Sequence, residues 1–314
     1  MSSTSTTTTA VTLVTPMRPA EGPWRRAWRQ FIRQRSAIIG MAIIGVLVFT
    51  AIFAPWIAPF DPTEVLLGKQ EGIQKRSGPC IHLFGCPPDQ PQHIMGVDGN
   101  FRDLFSRVIY GARLSLFIGF VTVSISVAVG VLLGAVAGFV GGWVDNVIMR
   151  VLDVVLAFPF LLLAIAIVSV LGPGLLNAML GIAIVSIPAY ARVIRASVLS
   201  AREEEYVLAA RTIGLGPLAI LFGHILPNAI SPLIVQATLG IGTAIIEVAA
   251  LSFLGLGAQP PTPEWGSMLS AERNQVFTAP HLVFFPGLAI MLTVLGFNLL
   301  GDGLRDALDP RLKV

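Results

Sequence analysis

Six long apolar stretches alternate with polar segments along this chain. Each is close to the ~20 residues that an α-helix needs to cross a bilayer. In lipid every backbone polar group must be paired within the protein, and continuous apolar runs of this length indicate helices. We therefore predict an all-α membrane protein, a polytopic bundle of about six transmembrane helices. The predicted spans are residues 36–58, 114–140, 148–171, 175–193, 230–251 and 281–300.

The composition supports this class and excludes an ordinary soluble domain. Hydrophobic residues make up 54% of the chain, charged residues make up 12%, and the mean hydropathy is +0.77. Soluble domains carry about twice that share of charged residues. The length of the chain is therefore used here to estimate the number of transmembrane spans, and not the number of soluble domains.

Basic residues before the first apolar stretch predict its orientation. Trp24, Trp28 and Phe31 interleave with them at helical spacing, which favours an interfacial helix over an arm that binds nucleic acid. Under the positive-inside rule the N-terminus is cytoplasmic, and an even number of spans places both termini there. No nucleic-acid partner is expected. The arginines concerned are Arg18, Arg25, Arg26, Arg29, Arg33 and Arg35.

These patterns divide the chain into segments. A cleaved signal peptide is the competing interpretation of the first stretch, but the apolar core over 38–57 exceeds the usual ~7–15 residues. The predicted segments are a disordered cytoplasmic tail (1–23), an interfacial basic helix (24–35), a first transmembrane helix (36–58), an extracytoplasmic loop (59–112), a core (113–302) with a cytoplasmic segment at 203–227, and a cytoplasmic tail (303–314).

The loop over 59–112 contains both cysteines, Cys80 and Cys86. An oxidising compartment on the outer face favours a disulfide between them. Free thiols are the second interpretation. A metal site that combines them with His82 and His93 is the third, but the spacing is not that of a known zinc module. We expect no metal, and a loop crosslink is the leading interpretation.

The segment 203–227 is amphipathic and lies between two apolar stretches, so it must rest on the membrane face or against a partner. Its three consecutive acids, 203–205, suit the N-terminus of a helix, where the dipole favours negative charge. Gly214 and Gly216 interrupt the helix, and Pro217 can begin a second short one that Pro227 closes. The alternative is an ordinary loop that packs on its own protein.

This segment resembles the "EAA" cytoplasmic loop of ABC importer permeases, whose pattern is E-A-A, three residues, G, nine residues, I, one residue and L-P. Leu208 replaces the usual Glu, with Glu205 as an acid within one helical turn, and His224 replaces the usual Ile. The resemblance implies that these positions couple the permease to an ATPase. The matching positions are Ala209, Ala210, Gly214, Leu226 and Pro227.

Further motifs extend the resemblance over residues 24–314. MGVDGNFRDLFSRVIYGARLSL, GGWVDNVIMRVLDVVLAFP, ALSFLGLGAQPPTPEWGSML and FNLLGDGLRDALDP are similar to the C-type permease subunit of the dipeptide/oligopeptide (Opp/Dpp) ABC importer family. The segment around Cys80 and Cys86 and the Thr-rich tail fall outside that pattern. The resemblance implies a type I ABC importer permease fold in a bacterial or archaeal plasma membrane.

The resemblance also implies partners. Such a permease forms half of a pore with a second, B-type permease, and it works with two ATPase subunits and an extracytoplasmic substrate-binding protein. ATP and Mg²⁺ would bind to the ATPases, since this chain has no G-x-x-x-x-G-K-[ST] phosphate loop, and no catalytic residue or cofactor is expected here. The expected cargo is di- or oligopeptides; glutathione, nickel chelates, opines and oligosaccharides are the alternatives.

Glu247 is an acid within an apolar stretch, where a carboxylate is costly and usually faces protein or water. Three roles remain open: a pore-lining contact for a substrate amine, a buried acid at a helix interface, or an exposed group near the outer end of its span. An autonomous ion-coupled carrier is the competing class of protein, but it calls for paired intramembrane charges. Glu264 and His281 lie in outer segments, where a binding protein could contact them.

Overall fold

The computed structural model describes the backbone of residues 23–308 and the side chains of residues 28–308, so the predicted tail at 1–23 lies outside the described residues except for residue 23, and the predicted tail at 303–314 lies outside them from residue 309 onward. Within that range the regular structure is helical, and the β-type pairing amounts to two isolated bridges. The α-helices are α1 (Pro23–Arg33), α2 (Arg35–Ile57), α3 (Leu104–Val140), α4 (Gly142–Leu156), α5 (Phe160–Leu171), α6 (Leu175–Ala201), α7 (Glu205–Thr212), α8 (Pro217–Ile220), α9 (Leu226–Phe253), α10 (Trp265–Glu272) and α11 (His281–Leu308).

Five helical stretches are long and apolar enough to cross a membrane, and α4 with α5 forms a sixth candidate that is bent by 91°. The predicted third span, 148–171, is therefore two helices and not one. Pro159 stands at the break as the N-cap residue of α5. Its ring fixes its own backbone and excludes a helical conformation for the residue before it, so the helix ends here instead of kinking.

The bent pair is a complete crossing, because α3 and α6 run parallel. Gly130 of α3 packs against Tyr190 of α6, and Gly138, eight residues later, packs against Val198, also eight residues later. Two neighbouring helices with the same direction both end on the same side of the bundle. The chain between them must return to the other side, and α4 with α5 provides that return.

The other long helices run antiparallel to their neighbours, so the six spans alternate in direction. The start of α2, the α7–α8 segment and the end of α11 therefore lie at one end of the bundle, here called the α7 end. The connections 58–103 and 254–280 lie at the opposite end. The contacts that fix these directions are Gly240–Tyr190 and Gly174–Leu256 between α9, with its following turn, and α6; Gly242–Phe297 and Gly301–Leu239 between α9 and α11; and Gly40–Leu300 and Gly303–Ala37 between α2 and α11.

Helix α3 begins at Leu104, so the loop predicted over 59–112 is shorter than expected. Asp103 caps the helix by accepting a hydrogen bond from the backbone N–H of Ser106 at 2.7 Å. Arg107 falls within the predicted loop, but its guanidinium is buried, lies 3.6 Å from the Asp98 carboxylate, and donates to the carbonyl oxygens of Pro62 at 2.7 Å and Pro261 at 3.1 Å. The arginine is satisfied by two distant loops and therefore does not interrupt the helix.

Helix α11 continues to Leu308, beyond the boundary predicted at 302. Its last turns are covered by α1, the helix predicted over 24–35. Phe31 is buried together with Ala307, and the side-chain amide of Gln34 donates to the Asp306 carboxylate at 2.9 Å. Helix α1 is therefore attached to the rest of the protein at the α7 end.

At the opposite end, the two connections are tied together by buried polar groups. Glu272 accepts hydrogen bonds from Arg76 and from the backbone N–H of Gly99, both at 2.8 Å. Glu264, suggested as a contact for a binding protein, is only 1% exposed and caps α10 through the backbone N–H groups of Gly266 and Ser267. That suggestion was wrong for Glu264. Burial raises the pKa of its carboxyl group, and the two backbone bonds act against that rise.

The sulfur atoms of Cys80 and Cys86 are bonded, with their Cα atoms 5.4 Å apart. His93 pairs its backbone with Cys80, but its ring is taken up by other groups. Nδ1 lies 2.8 Å from the Asp103 carboxylate and Nε2 lies 3.0 Å from the side-chain oxygen of Gln70. Within the described residues no group of three or more potential metal ligands occurs.

Candidate functional site

The segment 203–227 forms a helix, a turn and a second helix at the α7 end. Helix α7 begins at Glu205, which puts an acid in its first turn. Pro217 occupies the first turn of α8, where its missing N–H costs no hydrogen bond. The pattern of acids, glycines and proline thus predicted the start of both helices and the turn between them.

Gly214 closes α7 with a Schellman motif. The backbone N–H of Leu215 donates to the carbonyl of Ala210 at 3.2 Å, and that of Gly214 donates to the carbonyl of Arg211 at 3.0 Å. Gly214 has a φ of +85°, a left-handed conformation that favours glycine. No atom lies within 4 Å of the position a Cβ would take, so glycine is required here by backbone geometry and not by space.

One face of the segment is anchored in the core of the bundle. The side chains on this face are at most 5% exposed and belong to the same hydrophobic cluster as the long helices. Ala210, one of the motif positions, is among them, whereas Ala209 is exposed. The anchoring residues are Val207, Ala210, Ile220, Leu221 and Ile225.

The opposite face is apolar and uncovered. Large side chains here are between 38% and 77% exposed, although the segment is otherwise well anchored. Exposed apolar patches of this kind are typical of protein interaction sites. We call this set the exposed face; it consists of Tyr206, Leu208, Ile213, Leu218 and Phe222. Leu208, which replaces the usual Glu, is 51% exposed, so an apolar side chain stands where the family has an acid.

Pro227 does not close the second helix, contrary to the prediction. The chain continues as a helix from Pro217 to Phe253, through a π-helical turn at Leu221–Ile225. A proline in a helix clashes with the carbonyl four residues earlier, and a π-turn, with its i to i−5 bonding, relieves this conflict. The N–H of Leu226 accordingly donates to the carbonyl of Leu221. The second half of the segment and α9 are thus one continuous helix.

The remaining motif residues lie on this turn. His224 and Leu226 are half-buried and Pro227 is exposed. The backbone carbonyl of His224 accepts a hydrogen bond from Asn228 at 2.8 Å, and its ring Nδ1 is buried without a partner in the described part of the chain. Glu205, Ala209 and Gly214 are exposed and sit on the first helix and its turn.

Two ion pairs connect α4 to α6 beside the segment, and the sequence analysis did not identify them. Arg195 of α6 grips the Asp145 carboxylate with two hydrogen bonds of 2.5 and 2.6 Å, and Arg192 pairs with Asp153 at 2.6 Å. Both acids lie on α4, eight residues apart. The sequence shows only that these two acids are about two helical turns apart and therefore lie on the same face of a helix. It does not identify their partners, which lie on a helix some 40 to 50 residues away.

Glu247 is not part of this segment. It lies within α9, six residues before Phe253, and is partly buried. Six residues correspond to about 9 Å of helix, so the side chain lies inside the apolar region and not at the outer end of the span. No hydrogen bond or ion pair to Glu247 is found in residues 28–308. His281, at the start of α11, is half-buried beside Gly96.

Family models match both parts of the chain. Residues 130–314 match the inner membrane component of binding-protein-dependent transport systems, and residues 22–79 match the N-terminal transmembrane domain of oligopeptide transport permease C. Together they cover α1, α2, the last part of α3 and the chain from α4 onward, including the segment 203–227; residues 80–129 lie outside both matches.

Curated relatives are similar along nearly the whole chain. The dipeptide transport system permease protein DppC of Alkalihalophilus pseudofirmus is 49% identical over 294 residues, 94% of this chain and 92% of the relative. The di/tripeptide transport system permease protein DppC of Pseudomonas aeruginosa is 48% identical over 93% of both chains. The glutathione transport system permease protein GsiD of Salmonella typhimurium is 50% identical over 93% of this chain and 91% of the relative.

The fold also matches solved structures. Two inward-facing structures of the MetNI methionine ABC transporter match with TM-scores of 0.51 and 0.52 at 19% and 20% identity. The matches cover 64% and 65% of this chain and 96% and 97% of the matched chains. The predicted type I ABC importer permease fold is confirmed. The chain is a multi-pass membrane permease that belongs to the C-type subunits of the dipeptide/oligopeptide (Opp/Dpp) ABC importer family.

Proposed function

We propose that this chain forms half of the translocation pore of a peptide importer and couples that pore to ATP hydrolysis by separate ATPase subunits. One observation carries the proposal: the segment 203–227 is anchored in the bundle by one face and presents the exposed face on the other. A rigid element with an unpartnered apolar surface suits docking onto another protein. Because α8 continues into α9, a displacement of the docked segment moves a membrane-spanning helix.

The proposed complex contains a second, B-type permease, two ATPases that bind ATP and Mg²⁺, and an extracytoplasmic substrate-binding protein. The α7 end faces the cytoplasm in this arrangement. The clustered arginines before α2 support that orientation, since basic residues favour the cytoplasmic side. Both ends of the chain then lie in the cytoplasm, and the bacterial plasma membrane is the location that the relatives suggest.

The proposed cargo is a di- or oligopeptide. Two relatives are named for dipeptide or di/tripeptide transport, and another of the same identity is named for glutathione transport. Glutathione, itself a modified tripeptide, is therefore the second candidate. An autonomous carrier is less well supported, because it calls for paired charges within the apolar region, whereas the acids of α4 pair with arginines of α6 and Glu247 has no ion-pair partner among the described residues.

The test is reconstitution. The chain is placed in proteoliposomes with its second permease, both ATPases and the binding protein, and uptake of labelled dialanine and labelled glutathione is measured with and without ATP. We expect ATP-dependent uptake that disappears when the ATPases are omitted. Uptake of either compound by the chain without ATPases would refute the coupling proposal and support the carrier.

A further inference from the structure

Helix α9 carries polar side chains along almost its whole length on one face. Thr238 and the buried Ser252 lie outside this face. Projected at 100° per residue, the other five polar side chains fall within about 160° of the helix circumference, at depths from the α7 end to the outer third. None of them is fully buried by this chain. We call this set the polar stripe; it consists of Asn228, Ser231, Gln236, Thr243 and Glu247.

The polar stripe does not suit contact with lipid, as a comparison with α2 shows. The uncovered face of α2 is apolar throughout, with Ile38, Phe49 and Ile52 between 47% and 58% exposed. That face can meet hydrocarbon at no cost. A side-chain carboxyl or amide in hydrocarbon loses its hydrogen bonds, which costs several kcal/mol in order of magnitude. Asn228 and Thr243 donate to carbonyls of their own helix, but Gln236 and Glu247 have no hydrogen bond among the described residues and therefore need water or protein beside them.

A cavity lies along the inner half of the same stripe. Its volume is ≈ 630 Å³, which falls within the range of about 300–1,000 Å³ that is typical of small-ligand sites. Most of its lining belongs to α9, and Arg305 of α11 and Val193 of α6 contribute to the rest. The residues of the stripe in its lining are Asn228, Ser231 and Gln236. Space and polar groups thus coincide on one side of α9.

Glu247 is the charged member of the stripe and has no partner among the described residues, as stated above. Thr243, one turn earlier on the same face, donates its hydroxyl to the Leu239 carbonyl and not to Glu247. Tyr190 of α6 is close enough for an electrostatic interaction with the carboxyl group, but it carries no positive charge. The acids of α4, by contrast, are both paired with arginines. Among residues 28–308, no side chain forms a hydrogen bond or an ion pair with Glu247, so its carboxyl group is available to a partner from outside these residues.

We propose that Glu247 contacts the protonated amino terminus of the transported peptide as it passes along the polar stripe. This inference rests on the proposed function. A free ammonium group is what a dipeptide and glutathione share, and its three N–H donors complement a carboxyl group with two acceptor oxygens. Glu247 is thus a specificity-determining residue for primary amines, and the rest of the stripe supplies uncharged hydrogen-bonding groups.

The first experiment tests whether Glu247 lines an aqueous path. The two cysteines of this chain are bonded to each other, so Glu247→Cys introduces its only free thiol. The variant is assembled with cysteine-free partner subunits and exposed to a charged, membrane-impermeant thiosulfonate, with and without ATP. Ile52→Cys on the lipid-facing side of α2 is the matched control. We expect labelling of Glu247→Cys at least tenfold faster; equal rates overturn the proposal.

The second experiment tests the contact with the ammonium group. Uptake of dialanine and of N-acetyl-dialanine is measured at concentrations that saturate the binding protein, in wild type, in Glu247→Gln and in the control Glu71→Gln, which makes the same change at an exposed residue outside the spans. The ratio of free to acetylated uptake is compared with wild type, so the selectivity of the binding protein cancels. We expect this ratio to fall about tenfold or more in Glu247→Gln, the effect of one hydrogen bond to a charged group, and to stay unchanged in Glu71→Gln.

The outcomes separate this inference from the proposed function. If the wild-type complex shows no ATP-dependent uptake, the proposed function fails. If wild type transports and Glu247→Gln keeps the wild-type ratio, the inference alone is wrong. Slow labelling of Glu247→Cys with normal assembly would mean that the carboxyl group pairs with the second permease, which also overturns the inference.

Discussion

Replacing Gly214 by alanine isolates the contribution of one backbone conformation to coupling. Gly214 has a φ of +85°, and nothing lies within 4 Å of an added Cβ. The substitution therefore adds no clash within this chain and costs only the energy of a left-handed alanine, about 1–2 kcal/mol. That cost lowers the population of the closed turn relative to open forms by a factor of about 5–30.

Hydrogen exchange reports this opening directly. The amides of residue 214 and Leu215 donate the two bonds of the Schellman motif, so their exchange should accelerate by the same factor of about 5–30 in Gly214→Ala. ATP-driven uptake per ATP hydrolysed should fall in the reconstituted complex, while the variant still inserts and assembles. The reason is that the exposed face would then be positioned by a turn that opens more often, so that movement of the ATPase would displace α9 less efficiently.

Gly223→Ala is the matched control. Gly223 is exposed in the same segment, also has open space around it, and lies in the π-helical turn without a left-handed conformation. Alanine in a helical conformation is favoured over glycine by about 0.5–1 kcal/mol, so exchange should slow and uptake should persist. If both variants exchange and transport like wild type, the role given to the turn is refuted.

Three other changes probe the frame around the segment. Glu264→Ala removes the cap of α10 and leaves two N–H groups unpaired, so we expect a loss of about 1–3 kcal/mol in thermal unfolding, against no change for the exposed Glu71→Ala. In a double-mutant cycle of unfolding free energies, Arg195→Gln and Asp145→Asn should show a coupling energy of about 1 kcal/mol. Additive effects of the two substitutions would contradict a stabilising role for this ion pair. Reduction of the Cys80–Cys86 disulfide should remove about 2 kcal/mol of local stabilisation from the short loop that it closes. Uptake should stay near normal. Loss of all transport would show that the loop has a role in transport beyond its own stability.

The number of spans was predictable because hydrophobic length is a local property of the sequence. The bend at Pro159 and the continuity at Pro227 were not predictable in the same way. Both prolines interrupt the same hydrogen-bond pattern, but the first ends a helix and the second is accommodated by a π-turn. Which outcome occurs depends on what the neighbouring residues pack against, and this is information from the whole bundle.

Polar residues were the other source of error. Arg107 looked like part of a loop, and Glu264 like an accessible contact, because charged side chains are rarely buried. Each is buried because distant groups satisfy it: carbonyls of Pro62 and Pro261 for the arginine, and the first amides of α10 for the acid. The sequence shows that these residues are charged, but it does not show which distant residues form hydrogen bonds with them in the folded protein.

The candidate segment was easier to locate than to interpret. Its acids, Gly214 and Pro217 predicted a helix, a turn and a helix from local rules. Its two faces could not be assigned from the pattern alone, since docking on a partner and packing on its own protein both require apolar residues. The fold separates the two sets: Val207 and Ile225 are fully buried, whereas Ile213 and Leu218 are 77% and 70% exposed.

Crosslinking tests most directly whether the exposed face binds an ATPase. Leu218→Cys lies on that face, and Phe277→Cys, at a residue 99% exposed, lies at the opposite end of the bundle. With a short thiol crosslinker in the assembled complex, we predict that Leu218→Cys links to an ATPase subunit and that Phe277→Cys does not. Failure of Leu218→Cys to link to any ATPase, or a link from Phe277→Cys instead, would contradict the account.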